Sequence, residues 1–337
     1  MLRWGVLGTS FISDVFARAV NASNDSCIVA AFGRDASRLA VFAAKHSITR
    51  QHSDIDLLLQ DDDVDVVYVG LPTHLHADAT IKAARAGKAI LCEKALATTT
   101  TDGQDMIKAV QEAGVFFLEG LMYLNHPLME KLSEIIRSGV LGPVRAVCGT
   151  YAANIASKAN PLGMGTIYNL GCYPVSLLHL IVQISSGSHA FKARRLQALG
   201  NLSPDSSHVR DAALVVRFND GLVATLQSTD SFGNDFAFIV QGTKGSLNFR
   251  TNPWLPAAGR SIMELKSFGG ETQEIIVDSP LDAFDCQVRT VEKCLATGVK
   301  EASRPSARLQ DSLEILQMLV EWESGIFESS GNDEKQS

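Results

Sequence analysis

A chain of 337 residues with a net charge of -7 is too long for one ordinary hydrophobic core and too acidic for a nucleic-acid surface, which clusters lysine and arginine. Its apolar share of 46% and charged share of 20% are those of a globular protein of two domains, with no need for disorder. The six scattered cysteines show no C-x-x-C pair, which excludes a zinc ribbon or dithiol site and fits a reducing, cytoplasmic setting; no signal-peptide pattern opens the chain.

Leu2 to Leu7 predicts a strand, and Gly8-Thr9-Ser10-Phe11-Ile12-Ser13 leads from it into a helical pattern at Val15, Phe16, Ala19 and Val20. The spacing is that of G-x-G-x-x-G/A, with Gly8 first, Ser10 second and Ser13 third. Gly8, Ser10, Phe11 and Ile12 are therefore candidate dinucleotide contacts, because free N–H groups and the dipole at a helix start favour a pyrophosphate. Only one of the three glycines is present, and a plain strand-turn-helix explains the same residues. The next strand, Ile28 to Phe32, ends in Gly33-Arg34-Asp35, with Arg38 a turn further on. An acidic residue here takes ribose hydroxyls, whereas arginine accommodates a 2′-phosphate. Arg34 and Arg38 thus favour NADP, with NAD as the alternative, unless both are solvated helix-start cations.

Asp54 to Leu59 reads as a short helix and Asp65 to Val69 as a buried parallel strand that closes at Leu71-Pro72-Thr73-His74-Leu75-His76. Leu71, Pro72, Thr73 and His76 fall at the crevice edge, and His76 opens a helix capped by Gly87. His74 and His76 have no third ligand at a diagnostic spacing, so no metal is expected. The strand Ala89 to Cys92 runs directly into Glu93-Lys94. A lysine at the C-terminal edge of such a strand stands where open α/β sheets bind ligands. Partly desolvated, it can share a proton or hydrogen bond with a substrate hydroxyl while Glu93 holds it charged; the alternative is a surface ion pair. A helix from Thr98 to Thr101 onward and a strand at Val115 to Leu118 complete a doubly wound parallel sheet of Rossmann type over residues 1–121.

Residues 122–328 predict an α+β domain with a large, mainly antiparallel, open-faced sheet. Strands are expected at Val144 to Tyr151, Ala193 to Leu199, Ala212 to Phe218, Leu222 to Gln227 and Phe236 to Gln241, with tight turns at Asn219-Asp220-Gly221 and Gly242 to Gly245. Helical patterns at Phe284 to Leu295 and Leu309 to Trp322 follow, and residues 329–337 read as a flexible tail. Ala159 to Phe191 lacks Asp, Glu, Lys and Arg, but Asn169, Gly171, Pro174, His179 and Gln183 interrupt it, so it reads as interior and not as a membrane span.

Trp4-Gly5-Val6-Leu7-Gly8, Gly33-Arg34-Asp35, Pro72 to His76, Ala86-Gly87-Lys88, Cys92-Glu93-Lys94, Glu119 to Tyr123, His126-Pro127, Leu141 to Arg145 and Gly171 to Pro174 occur in an order that resembles one family over nearly the whole chain. It is the glucose-fructose oxidoreductase, inositol dehydrogenase and rhizopine-catabolism family (Gfo/Idh/MocA), especially its dihydrodiol dehydrogenase-like and sugar-dehydrogenase members. The resemblance implies that Lys94 contacts the nicotinamide ribose and the reacting oxygen, and that Tyr173 donates or accepts the hydroxyl proton. It implies a dimer, or a higher homo-oligomer, through the open sheet face. Three positions depart from the family pattern: Ala95 replaces a proline, Leu124 a polar or basic residue, and Asn169 an aspartate. Asn169 can orient a hydroxyl but cannot ionise.

The implied activity is NADP-dependent hydride transfer to or from a secondary alcohol or ketone of a sugar, polyol or cyclic diol, with Lys94, Tyr173 and Asn169 as site residues. The alternative is a catalytically impaired dinucleotide sensor or partner subunit on the same fold. The stretch Asn154 to Thr166 is expected to border the pocket; it contains Lys158 and no acidic residue, which points to a less polar diol or deoxy-sugar.

Overall fold

The structure is a computed structural model that describes residues 1–156 and 165–333. The chain divides into two compact units, Met1–Asn125 with Ala283–Leu313, and His126–Asp282 with Glu314–Ser337.

In the first unit strands and helices alternate: β1 (Leu2–Leu7), α1 (Phe11–Asn21), β2 (Ser26–Phe32), α2 (Ala36–Lys45), β3 (Arg50–His52), α3 (Ile55–Leu59), β4 (Val66–Val69), α4 (His76–Arg85), β5 (Ala89–Glu93), α5 (Thr100–Ala113) and β6 (Phe117–Gly120). The six strands form a parallel sheet in the order β3-β2-β1-β4-β5-β6. β4 and β5 are buried along their whole length, as expected of strands covered on both faces. Winding reverses between β1 and β4, which opens a ligand crevice at their C-terminal ends. Trp4, Phe16 and Tyr68 anchor the core; the Phe16 and Tyr68 rings stack at 3.8 Å, and Trp4 donates its indole N–H to Ser26 Oγ at 3.0 Å. The three-residue β3 is too short to carry a periodic signal.

The second unit begins with α6 (Pro127–Arg137) and β7 (Val144–Ala153), and continues through α7 (Cys172–Ser185) to β8 (Arg194–Leu202), β9 (Val209–Phe218), β10 (Val223–Thr229), β11 (Asn234–Gly242), β12 (Gly245–Phe249), β13 (Gly259–Ser267) and β14 (Thr272–Ser279). Their order is β14-β13-β12-β11-β7-β10-β9-β8, antiparallel except for the parallel pair β7 and β10. The Asn219-Asp220-Gly221 turn forms as its residues dictate, with Gly221 at φ +89 and the Leu222 N–H donating to Asp220 Oδ1 at 3.1 Å. Along β10, Ala224, Leu226 and Ser228 are buried while Val223, Thr225 and Gln227 are exposed, so one face of the sheet is open. α7 packs on β7 and β10 and is apolar almost all round. With the turn before it, Ile167–Ser185 is the one stretch among the described residues long and apolar enough to cross a membrane, and 89% of it is buried.

The chain then returns to the first unit. α8 (Ala283–Ala296) sets Val288, Val291 and Cys294 into the same core as Trp4 and Tyr68, so residues 283–313 belong with the dinucleotide-type sheet. An apolar stripe at helical spacing announces a buried face but not which core receives it. α9 (Leu309–Asp333) extends through residues read as a loose tail, with the Ser329 and Ser330 hydroxyls both donating to the Ile326 carbonyl. Residues 334–337 of that tail, and Lys158, lie outside the described residues.

Candidate active site

Gly8 follows β1 at φ +106, and a Cβ added there would stand 2.6 Å from the Gly70 carbonyl oxygen, so the turn from β1 to α1 requires glycine. Ser10 caps α1, accepting the Ser13 N–H at 3.3 Å, which leaves a regular helix start directed at the crevice. Phe11 is 80% exposed and Ile12 is half-buried. Thr9, Ser10 and Phe11 line a cavity of about 520 Å³ together with Arg38 and Lys45 of α2. Lys45 lies two turns after Arg38 on the same helical face, a signal the sequence reading passed over. It pairs with Asp14 at 2.6 Å, and Lys45 and His46 together hold that carboxyl below the usual range. Arg34 is exposed at the end of β2 and is not among the lining residues of this cavity. The arrangement fits a dinucleotide: a glycine cradle that a side chain would fill, amides at a helix start, and Arg38 as a cation for a ribose phosphate, Lys45 being paired with Asp14 of the same cavity wall.

β5 delivers Lys94, half-buried, to the same C-terminal edge. Glu93 beneath it is 6% exposed; Tyr68 donates its hydroxyl to Oε1 at 2.8 Å and the Lys94 N–H reaches Oε2 at 3.3 Å. Burial pushes the Glu93 carboxyl up, against the opposing pull of the Lys94 charge and the Tyr68 hydrogen bond. Glu93 is thus a buried support for the strand end and does not face solvent. The Lys94–Ala95 peptide is cis. His76 is 1% exposed, with Nδ1 at 3.0 Å from the Ala95 carbonyl and Nε2 at 2.9 Å from the Leu71 carbonyl. Its ring therefore braces the loop after β4 against the loop after β5, and does not present itself to a ligand as the sequence reading expected; burial lowers its pKa. Leu71, Pro72 and Thr73 remain half-buried at the edge. Leu124 is 2% exposed, a core position in the turn Met122–Asn125.

In the second unit a π-type turn, Ile167–Gly171, runs directly into α7. The wide turn starts after Thr166, and Pro174, which cannot donate to the Leu170 carbonyl, falls in the first regular turn that follows. Tyr173 is 5% exposed, its ring 5.2 Å edge-on from Tyr151 and 6.3 Å from Trp254. Tyr151 and Trp254 stack at 5.8 Å, and Trp254 donates its indole N–H to the Thr150 carbonyl at 3.1 Å. Burial pushes the Tyr151 hydroxyl up to about 12.

Asn169 donates Nδ2 to Asp230 Oδ2 at 3.1 Å. Asp230 stands just past the end of β10 and is 3% exposed. Asn169 and Asp230 line a cavity of about 670 Å³ with Ser203, His208, Arg210 and Ser231. Sequence reasoning missed Asp230 and Arg210. Asp230 lies 61 residues from Asn169 with no motif linking them, and its only local mark is a position just past a strand.

A parallel sheet with an anion-receiving crevice and a lysine at one edge, joined in one chain to an open-faced sheet unit bearing a buried tyrosine, defines a dinucleotide-dependent oxidoreductase. Residues 2–121 match the GFO/IDH/MocA oxidoreductase family, NAD-binding Rossmann fold, and residues 129–248 match the GFO/IDH/MocA C-terminal domain. The chain is 26% identical over 316 residues to trans-1,2-dihydrobenzene-1,2-diol dehydrogenase of Bos taurus, covering 89% of this chain and 90% of that one. It is 27% identical over 336 residues to D-xylose 1-dehydrogenase (NADP(+)) 2 of Haloferax volcanii, covering 98% and 97%. Among solved structures, aldose-aldose oxidoreductase of Caulobacter crescentus complexed with glycerol aligns at a TM-score of 0.83 with 23% identity, over 97% of this chain and 98% of that one. The chain belongs to the Gfo/Idh/MocA oxidoreductase family.

Proposed function

We propose that the protein is an NADP(H)-dependent oxidoreductase that moves a hydride between the nicotinamide and a secondary alcohol or ketone of a sugar, polyol or cyclic diol. The observation that carries the reading is the delivery of Lys94 by β5 to the sheet edge that also holds Gly8 and the start of α1. When bound, the nicotinamide supplies or accepts the hydride. The amides at the start of α1 would hold the pyrophosphate and Arg38 the ribose phosphate, a cation that would favour NADP over NAD. Lys94 polarises the reacting oxygen, and Tyr173 exchanges its proton. His76 and Glu93 keep the Lys94 loop in place, and the aromatic packing of Tyr151 and Trp254 fixes the Tyr173 ring. The names of the Haloferax and Bos relatives, one a sugar and one a diol dehydrogenase, support the substrate range.

Six free cysteines suit a reducing cytoplasm. The open face of the second sheet is assigned to a homodimer: Val215, Thr225, Cys148 and Ile239 fall in one row across β9, β10, β7 and β11. Titration of NADPH and NADH, followed by turnover over sugars, inositols and cyclic diols, tests the function. Tight NADPH binding with turnover reduced at least a hundredfold in Lys94→Ala and Tyr173→Phe is the expected result. NADPH binding without turnover on any of these alcohols or ketones would overturn it in favour of a sensor.

A further inference from the structure

The cavity on the second unit holds an acid and a base that do not neutralise each other. Asp230 is 3% exposed, yet its carboxylate accepts only the Asn169 amide at 3.1 Å and, at a long 3.4 Å, the Ser231 hydroxyl among the described residues. An ionised carboxylate has about four acceptor positions, and one buried in a protein is ordinarily paired or multiply hydrogen-bonded. Arg210 of β9 lines the same cavity; among the described residues its one hydrogen bond runs from Nε to Ser231 Oγ at 3.3 Å, and it forms no ion pair with a carboxylate. The other acid of the cavity wall, Asp205, is already engaged: its carboxylate accepts the Ser203 and Ser207 hydroxyls and the Ser207 N–H, which hold its pKa down to about 2. His208 has its Nδ1 3.0 Å from Ser207 Oγ.

A buried acceptor and a half-buried fork of donors on one cavity wall match a ligand whose groups donate and accept together. Hydroxyls do both; an amine would leave Arg210 unanswered, and a carboxylate would be repelled by Asp230. The Asn169 amide is also oriented by this contact, because donation of Nδ2 to Asp230 places Oδ1 on the other side of the amide.

We infer that Asp230 and Arg210 are specificity-determining residues that read hydroxyls other than the reacting one, and that the substrate is polyhydroxylated, with at least two hydroxyls beyond the reacting carbon. The inference rests on the oxidoreductase reading for the reacting hydroxyl, and on Asn169, which lines this cavity one turn before Tyr173, for the link between the cavity and the reaction. It reverses the expectation of a sparsely hydroxylated ligand. That expectation looked for carboxylates only in residues 154–166, whereas the acid arrives from the end of β10.

The test is calorimetric binding of D-xylose, myo-inositol and trans-cyclohexane-1,2-diol to the full chain saturated with NADP⁺, with turnover measured on the same samples. At least one of the two polyols is expected to bind about tenfold or more tightly than the cyclohexanediol, which offers only one hydroxyl beyond a reacting carbon. Asp230→Asn should weaken that polyol about tenfold or more while the cyclohexanediol changes less than threefold. Arg210→Met, at a half-buried position, reads the same selectivity should Asp230→Asn lose its fold, which near-ultraviolet circular dichroism and NADPH affinity report. Cyclohexanediol bound as tightly as both polyols, or both classes weakened alike by both variants, overturns the inference. Polyol binding that the variants weaken selectively, with no hydride transfer, overturns the oxidoreductase reading and leaves Asp230 and Arg210 as readers of ligand hydroxyls only; turnover with unaltered selectivity in the variants overturns their role and leaves the oxidoreductase reading.

Discussion

Glu119→Gln should change how the stability of this protein depends on pH. Glu119 is 2% exposed in β6, its Oε2 has no hydrogen-bond partner among the described residues, and burial raises its pKa from 4.5 to about 7. Between those values the folded chain keeps a proton that the unfolded chain releases. The contribution is therefore fully present below pH 4.5 and is lost as pH rises through 7, amounting to about 3 kcal/mol over the interval. His76 and His126, whose pKa values are lowered by burial, act with the opposite sign up to their ordinary pKa near 6.5. The curve of the parent protein alone thus mixes the two effects, and the difference between parent and variant isolates Glu119. Glutamine keeps the side chain's size and cannot ionise. Thermal unfolding at pH 5, 6, 7 and 8 should show the variant gaining on the parent as pH rises, by roughly 5 °C between the two ends. A difference that stays flat across the series would refute the argument that a buried, neutral carboxyl sits at this strand end.

Arg38→Ala should weaken NADPH about tenfold or more and leave NADH nearly unchanged in a fluorescence titration, if Arg38 of the cavity beside Ser10 takes the extra phosphate as proposed; equal losses for both would remove that role. His76→Ala should cost about 2–4 kcal/mol, by emptying a buried ring site between the two loops and leaving the one carbonyl, Leu71 or Ala95, that accepts the ring N–H without its donor, and should lower kcat with it. An unchanged melting temperature would show that the ring is not a brace. Val215→Asp, on the open sheet face, should convert a dimer to monomer in sedimentation velocity; a protein that is monomeric before the substitution would disprove the dimer assignment.

Local chemistry settled much of this molecule before any packing was known. β1 and its turn at Gly8, the cap at Ser10, the buried run of β4, and Lys94 at the end of β5 each follow from residues within one turn or one strand of each other. Such signals are written in short stretches of sequence because the hydrogen bonds and conformational limits behind them are short-range. Tertiary structure decided three other things. It turned His76 from a candidate cofactor contact into a bridge between two loops. It returned α8 to the first core, since an apolar stripe does not specify its partner. It also gave Asn169 a carboxylate, through the parallel pairing of β10 with β7 that sets Thr229 beside Ala152 and leaves Asp230 at the strand end. Which strand lies beside which depends on the burial of whole faces at once, and so the acid of this site is found only once the sheet is assembled.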